Sequence, residues 1–204
     1  MKTLSLAALT LTFWALTCLE KYSQAGFAQP GLRIAPSRPI TAAELESISN
    51  LWKTEPPILR PILDQSFSVY LSRYGNVYFL SFFDQSLPDR PPVLTHWLVG
   101  SGRVLKELPF SEKLIPKSYF PFSLDAVVFT DLYFDGLEDI YTIASYITGV
   151  GPTGAIPFPV ITVYGQREDG SFVIWENVSL ELTTSGASTA AEVEKLLPQF
   201  LPSP

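Results

Sequence analysis

Residues 127–166 read VVFTDLYFDGLEDIYTIASYITGVGPTGAIPFPVITVYGQ, and this stretch decides the fold. Apolar, β-branched and aromatic residues dominate both sides of an acidic turn, and a loop rich in glycine and proline follows. Short runs of this composition, bounded by turn residues, predict β-strands. We therefore expect strands at 124–129, 140–147 and 160–165, joined first by the acidic turn and then by the longer loop.

Outward from this stretch the chain alternates apolar and polar residues with a period of two, which is typical of half-buried strands. The alternation predicts a hairpin over 66–83 and further strands at 93–99, 103–108 and 171–176. A Thr-x-x-Glu capping box at Thr41 and another at Thr189 predict a short helix near each end. The fold class is α+β, an antiparallel β-meander resembling a single blade-like sheet between these two helices.

The N-terminus has the pattern of an export signal. A lysine precedes 16 apolar-rich residues, 4–19, and small residues then follow at the spacing of a cleavage site. The pattern predicts a signal peptide over 1–28, cut after Ala25 or Ala28, with an uncleaved anchor as the alternative. The other predicted segments are an extended lead-in at 29–40, a single β-rich domain at 41–198 and a Pro-rich tail at 199–204.

Charge and cysteine content narrow the function classes. The net charge of the chain is −6, and loss of residues 1–28 would make it −7 because two lysines and one glutamate leave. An acidic domain does not attract nucleic acid or an anionic lipid surface. The single cysteine, Cys18, lies within the signal, so a periplasmic or secreted mature chain would have no disulfide and no stable membrane insertion.

The acidic turn has the spacing of a cation-binding loop. Asp131, Asp135 and Asp139 fall at positions 1, 5 and 9, Gly136 takes the place of the bend glycine, and the carbonyl of Leu137 stands at position 7. Oxygen ligands at alternate positions are what calcium loops use. Asp131, Leu137, Asp135 and Asp139 are therefore candidate calcium ligands. The alternative is a plain β-turn whose aspartates cap backbone amides.

The motif VVFTDLYFDGLEDIYTI resembles the D-x-N-x-D-G-x-x-D turn of FG-GAP and VCBS-type repeats. It is also similar to exported bacterial proteins with one such blade, among them periplasmic inhibitors of c-type lysozyme. The resemblance covers residues 127–166 and departs from the motif at Tyr133, where Asn or Asp is typical. It implies a β-rich binding module, calcium and no catalysis.

The loop GVGPTGAIPFP at 149–159 is the candidate binding loop. Its glycines permit unusual backbone angles and its prolines stiffen it. We expect it to project beside the acidic turn and to contact a partner, although an ordinary long connection would have the same composition. The residues concerned are Gly149, Gly151, Pro152, Gly154 and Pro157.

Catalytic alternatives have little support in the sequence. His96 is the only histidine and lies in a strand-like run, which favours a buried histidine with a satisfied hydrogen bond over a triad or a zinc site. Carboxylate pairs such as Asp64 with Asp84, or Glu107 with Glu112, would suit a glycosidase. Tyrosines 70, 74 and 78 would suit sugar stacking, and they would equally suit cross-strand packing.

The sequence therefore predicts an exported, non-catalytic domain that binds a protein or cell-envelope ligand, with a structural calcium ion at 131–139. One alternative is an envelope hydrolase that uses carboxylates. That function requires a pocket holding two carboxyl groups and lined with tyrosines. The other alternative is a purely structural component of the envelope, for which a large exposed apolar patch without a cleft would be typical.

Overall fold

A computed structural model describes residues 33–54, 58–86, 90–151 and 153–201, which form two antiparallel β-sheets and three α-helices. The predicted signal peptide lies outside the described residues. The strands are β1 (Arg33–Ile34), β2 (Ser37–Pro39), β3 (Leu59–Pro61), β4 (Phe67–Leu71), β5 (Gly75–Asp84), β6 (Val93–Gly100), β7 (Arg103–Glu107), β8 (Phe120–Asp131), β9 (Asp139–Ile147), β10 (Phe158–Gln166) and β11 (Phe172–Ile174).

The strands divide into an N-sheet and a C-sheet. The N-sheet has the order β2-β4-β5-β6-β7, with β3 pairing to the far end of β5, and the C-sheet has the order β1-β8-β9-β10-β11. Each sheet contains a four-stranded meander of consecutive strands. The prediction of a mostly antiparallel β domain with few helices is confirmed, but the strands form two sheets rather than one.

The lead-in joins the two sheets. Arg33 and Ile34 pair with the end of β8 in the C-sheet, and three residues later Ser37–Pro39 pair with β4 in the N-sheet. Between them, the N–H of Ala35 donates to the carbonyl of Phe129 at 3.0 Å, and the carbonyl of Pro36 accepts from Tyr70 at 3.3 Å. The described part of the predicted lead-in, residues 33–40, is thus extended, and it is part of both sheets.

The main core lies between the sheets because alternate residues of both point inward. Phe79 of β5 and Phe129 of β8 meet edge to face with their ring centroids 5.2 Å apart. Burying each such ring contributes about 1.5–3 kcal/mol. The same cluster includes Val69, Leu71, Val77, Leu98, Ile140, Tyr164 and Phe172.

The helices cover the outer surfaces. The helix α1 (Ala42–Ser47) begins at its capping box, and a 3-10 turn (Ser49–Leu51) leads to Trp52, which packs on Phe82 of the N-sheet. The helix α3 (Ala190–Phe200) covers the outer face of the C-sheet, where the Tyr141 hydroxyl lies 3.4 Å from a carboxylate oxygen of Glu194. The helix α3 continues past Pro198 to Phe200, since a proline in the last turn removes only one backbone hydrogen bond.

A helix that the sequence analysis missed, α2 (Glu176–Thr184), closes the edge of β10. The N–H groups of Ile161 and Val163 donate to the hydroxyl oxygens of Thr183 and Ser179, both at 2.9 Å. Thr183 and Ser179 are four residues apart, so their hydroxyls lie on one face of the helix. Ile161 and Val163 are two residues apart, so their N–H groups lie on one edge of the strand, facing those hydroxyls. The helix thus replaces the β-strand that an open edge would otherwise attract. Strand β11 is correspondingly shorter than the predicted 171–176.

Candidate functional site

The acidic turn between β8 and β9 is held by its own aspartates. The Asp131 carboxylate accepts the N–H of Asp135 at 3.1 Å on one oxygen and the N–H of Gly136 at 2.9 Å on the other. Asp135 accepts the N–H of Leu137 at 2.9 Å. Gly136 has φ +83°, a left-handed backbone angle that favours glycine. These contacts close the turn on itself.

Asp139 has a different role, because it ties three strands together. One of its oxygens accepts the N–H of Leu132 at 3.0 Å, and the other accepts the N–H of Gln166 at 2.9 Å. The side chain is 2% exposed. Burial raises the pKa of Asp139 to about 7. The two amide hydrogen bonds lower this pKa, whereas the nearby charges of Asp135 and Asp131 raise it further.

Tyr133 stands where calcium loops have Asn or Asp, and it packs against an aromatic ring. Its ring centroid lies 4.4 Å from that of Trp175 in an edge-to-face contact. The Trp175 ring in turn lies against Gly165, where a Cβ atom would come within 2.1 Å of the indole. Because Gly165 has no side chain, Trp175 can lie directly on the sheet surface. Tyr133, at position 3 of the turn, packs on this indole ring instead of offering an oxygen ligand.

The acidic turn also contacts the N-sheet. Glu138 accepts hydrogen bonds from the backbone N–H of Ser72 at 2.6 Å and from its hydroxyl at 2.7 Å. The turn therefore joins the tips of both sheets.

The predicted calcium ligands do not converge on one point. Across the ranges given above for the structure, no three His, Cys, Asp or Glu side chains are placed to hold a metal ion. Leu137, the expected carbonyl ligand, has a buried side chain and donates its N–H to Asp135. In this arrangement the three carboxylates hold backbone amides, and calcium stays a prediction.

The loop between β9 and β10 is a compact turn at the other end of the C-sheet. The N–H of Gly149 donates to the carbonyl of Gly154 at 2.8 Å, and Gly149 and Gly151 have φ +66° and +74°. Pro157 is exposed, and Pro152 lies outside the described residues. The expectation that this loop lies beside the acidic turn is wrong. The two connections lie at opposite ends of β9, whose nine residues separate them by about 30 Å.

A cleft of about 530 Å³ opens at the same end of the sandwich as this loop. The sequence analysis did not find it, because its walls come from segments that are distant along the chain. Its buried wall includes His96 and Leu94 of β6 together with Tyr146 of β9 and Tyr164 of β10. Charged residues at the mouth are Asp84, Arg90, Glu107, Glu112 and Lys117.

His96 is a buried strand histidine with a satisfied nitrogen, as predicted. Its Nδ1 lies 3.0 Å from Oγ of Ser81, and its ring stacks on Phe79 with centroids 5.2 Å apart. Burial lowers the pKa of His96 to about 3, so the ring is neutral. Ser81 is fully buried and donates its hydroxyl to the carbonyl of Gln65 at 2.8 Å. This arrangement does not make Ser81 a nucleophile.

The cleft gathers one of the two carboxylate pairs that the sequence suggested. Glu107 and Glu112 both line it, together with Asp84, whereas Asp64 does not. Glu107 accepts a hydrogen bond from Thr95 at 3.3 Å, and Glu112 forms an ion pair with Lys117 at 2.7 Å. The tyrosines of the cleft are Tyr119, Tyr146 and Tyr164, not those proposed from the sequence for sugar stacking.

No family model matches this chain, and neither does any curated protein or solved structure. The resemblance of residues 127–166 to FG-GAP and VCBS-type repeats therefore stays a prediction. Within the described residues, no helix is both long enough and apolar enough to cross a membrane.

Proposed function

We propose that this chain is a non-catalytic binding domain of the periplasm or the extracellular space, and that it binds a protein or cell-envelope ligand through its loop face. The loop face consists of Phe120, Phe122, Val150 and Ile156, at the end of the C-sheet where β8 begins, β9 ends and β10 begins. The observation that carries the proposal is the exposure of these apolar side chains, which is 42%, 62%, 74% and 61%.

The loop face combines apolar surface with an ordered backbone. The ring of Phe120 lies beside Gly149, where a Cβ atom would be 3.6 Å from it, so the strand and the loop are in contact. Apolar side chains clustered on a surface mark interaction sites more often than isolated ones do. A loop already held by its own hydrogen bonds loses little conformational entropy when a partner binds.

The export pattern and the resemblance support the location and the class. Residues 1–28 carry the signal pattern, and the compact unit containing both sheets begins at Arg33. The C-sheet includes four consecutive antiparallel strands, and the acidic turn joins two of them, β8 and β9, as the resemblance to a turn between two strands leads one to expect. The net charge of −6 favours a neutral or basic partner.

The test is affinity capture from an envelope fraction with the wild-type chain and surface variants. Ile156→Asp and Val150→Asp place charge on the loop face. They should abolish capture of the envelope component that the wild-type chain retains. Leu180→Asp is the matched control, because Leu180 is an exposed leucine of α2 away from this face. The proposal is refuted if all four proteins capture the same species, or if the wild-type chain captures none.

The carboxylate hydrolase remains a second candidate because the cleft holds carboxylates together with tyrosines. Glu107, which carries the hydrogen bond from Thr95, is the side chain to change. We expect no turnover of aryl glycosides by the wild-type chain or by Glu107→Gln. Turnover that this variant loses would replace the non-catalytic assignment.

A further inference from the structure

The inner end of the cleft has a polar group inside an apolar wall. His96 is 3% exposed and lines the cleft beside Leu94 and Leu108. The charged side chains of the cleft are less buried and belong to its mouth. The inner end therefore offers imidazole and phenol groups to a ligand but no formal charge.

The hydrogen bonds around Ser81 determine which nitrogen of His96 carries its proton. The carbonyl oxygen of Gln65 can only accept, so its contact of 2.8 Å with Oγ of Ser81 uses the single hydroxyl proton. Oγ of Ser81 must then accept from Nδ1 of His96, 3.0 Å away. In the neutral ring, Nδ1 carries the proton and Nε2 presents a lone pair.

That lone pair is not used inside the protein. Among the described residues, the hydrogen bond of the His96 ring is the one at Nδ1, and neither Nε2 nor the hydroxyl of Tyr146 is a sealed, unpartnered atom, so both are open to a ligand in the cleft. Tyr164 differs, because its hydroxyl is hydrogen-bonded with Thr142 and Thr162. A ligand that fills the cleft removes water from this acceptor, and leaving it unpaired would then cost about 1–3 kcal/mol, so a ligand that donates a proton to it is favoured.

We propose that the inner end of the cleft binds a small neutral ring compound of the phenol class, whose hydroxyl donates a hydrogen bond to Nε2 of His96. The hydroxyl oxygen of such a ligand can also accept from Tyr146. The apolar and aromatic walls, including Leu94, Leu108 and Tyr119, suit a flat apolar ring. A sugar would leave several hydroxyls without partners against them.

Charge and size agree with this class of ligand. The buried residues of the lining include neither a positive side chain nor a carboxylate, which favours a neutral ligand over an ion. The cleft volume of about 530 Å³ lies within the range of small-molecule sites. The site is separate from the loop face, because none of the four loop-face residues lines the cleft.

The test compares 2-naphthol with its methyl ether, 2-methoxynaphthalene, by fluorescence titration at pH 7. The two probes have the same ring system, and only the naphthol has a proton to donate. We expect the wild-type chain to bind 2-naphthol about tenfold more tightly, which corresponds to one hydrogen bond. Equal affinity for the two probes, or binding of neither, would overturn the proposal without requiring any variant.

Two substitutions assign the preference to Nε2. In His96→Asn the amide N–H can still donate to Ser81, but no acceptor reaches the position of Nε2, so the affinity ratio should fall to about one. In His96→Gln the amide reaches that position, and we expect part of the preference to return. A ratio that stays near ten in His96→Asn would contradict the proposal. Leu180→Asp, at an exposed leucine of α2 that lines neither the cleft nor the loop face, should leave the ratio unchanged.

Discussion

The two ends of the sandwich use their polar side chains in opposite ways. At the acidic turn, both oxygens of Asp131 and both oxygens of Asp139 accept backbone amides, so these carboxylates serve the fold. At the cleft, the described residues give the His96 ring one hydrogen bond, at Nδ1, and leave Nε2 without one. The carboxylates of the acidic turn thus stabilise the fold, whereas His96 has a hydrogen-bond acceptor left for a ligand.

The largest effect should come from removing the carboxylate that ties three strands together. Asp139→Ala leaves the N–H groups of Leu132 and Gln166 without acceptors in a buried site. At about 1–3 kcal/mol for each of the two orphaned groups, we expect the free energy of unfolding to fall by about 2–6 kcal/mol. Urea denaturation at pH 7 in EDTA measures it.

Asp135→Ala is the matched control within the same turn, because Asp135 accepts one partly buried N–H and joins no strands. Its cost should be about 1 kcal/mol. Equal losses in the two variants would mean that Asp139 contributes no more to the fold than Asp135 does in its own turn, and its role in tying the strands together would be refuted.

Acid should weaken the cleft end through His96. Burial holds the pKa of His96 at about 3 in the folded state, below the value near 6.5 expected in the unfolded chain. The contribution of the neutral His96 ring to the free energy of unfolding is therefore complete above pH 6.5 and is lost as the pH falls towards 3. Between pH 7 and pH 4.5 we expect this loss to be about 2–3 kcal/mol.

The variant His96→Asn isolates this contribution from the carboxylates, which titrate in both proteins. Denaturation curves at pH 7, 6, 5 and 4.5 should show the wild-type chain losing stability more steeply than the variant. Parallel pH profiles would mean that His96 takes up a proton in the folded state as readily as in the unfolded one, and the neutral ring at the cleft would then be incorrect.

A smaller effect is expected at the edge of β10, which lies between the two ends. Thr183→Val keeps the side-chain shape but removes the hydroxyl oxygen that accepts the N–H of Ile161. The expected loss is about 1–2 kcal/mol in thermal or urea unfolding. Thr184→Val is the control, since the Thr184 hydroxyl is exposed and only donates to the carbonyl of Leu180 within its own helix. Equal losses would show that α2 does not cap the strand edge.

The sequence predicts what depends on neighbours along the chain. Alternation over 66–83 gives a hairpin because a period of two is a local property, and the Asp139 region is recognisable as a turn from its own residues. The helix α2 is missed because its N-cap residue, Trp175, makes no side-chain cap. The division into two sheets and the cleft depends on pairing between distant segments, and no local pattern encodes it.

The roles of site residues also depend on contacts between distant segments. In the sequence, Tyr133 is only a departure from the calcium-loop motif, and its role in packing is apparent once Trp175 and Gly165 are placed beside it. His96 looks like an ordinary strand residue, and its sequence neighbours carry no sign of the Ser81 contact that fixes its tautomer. Residues whose role depends on a contact far along the chain are the ones that the sequence misassigns or leaves unassigned.

The smallest expected effect concerns calcium at the acidic turn. Among the described residues, no three carboxylates are grouped to hold an ion, so binding one would require these side chains to move from positions that their amide hydrogen bonds fix. We therefore expect 1–5 mM calcium, compared with EDTA, to stabilise the mature chain by about 1 kcal/mol or less in a thermal melt. Asp169→Ala is a suitable control because Asp169 caps an exposed turn outside this motif. A rise of several degrees that Asp135→Ala abolishes and Asp169→Ala retains would make the turn a metal site after all. The acidic end would then also bind a ligand, and the difference between the two ends would lie only in which ligand each takes.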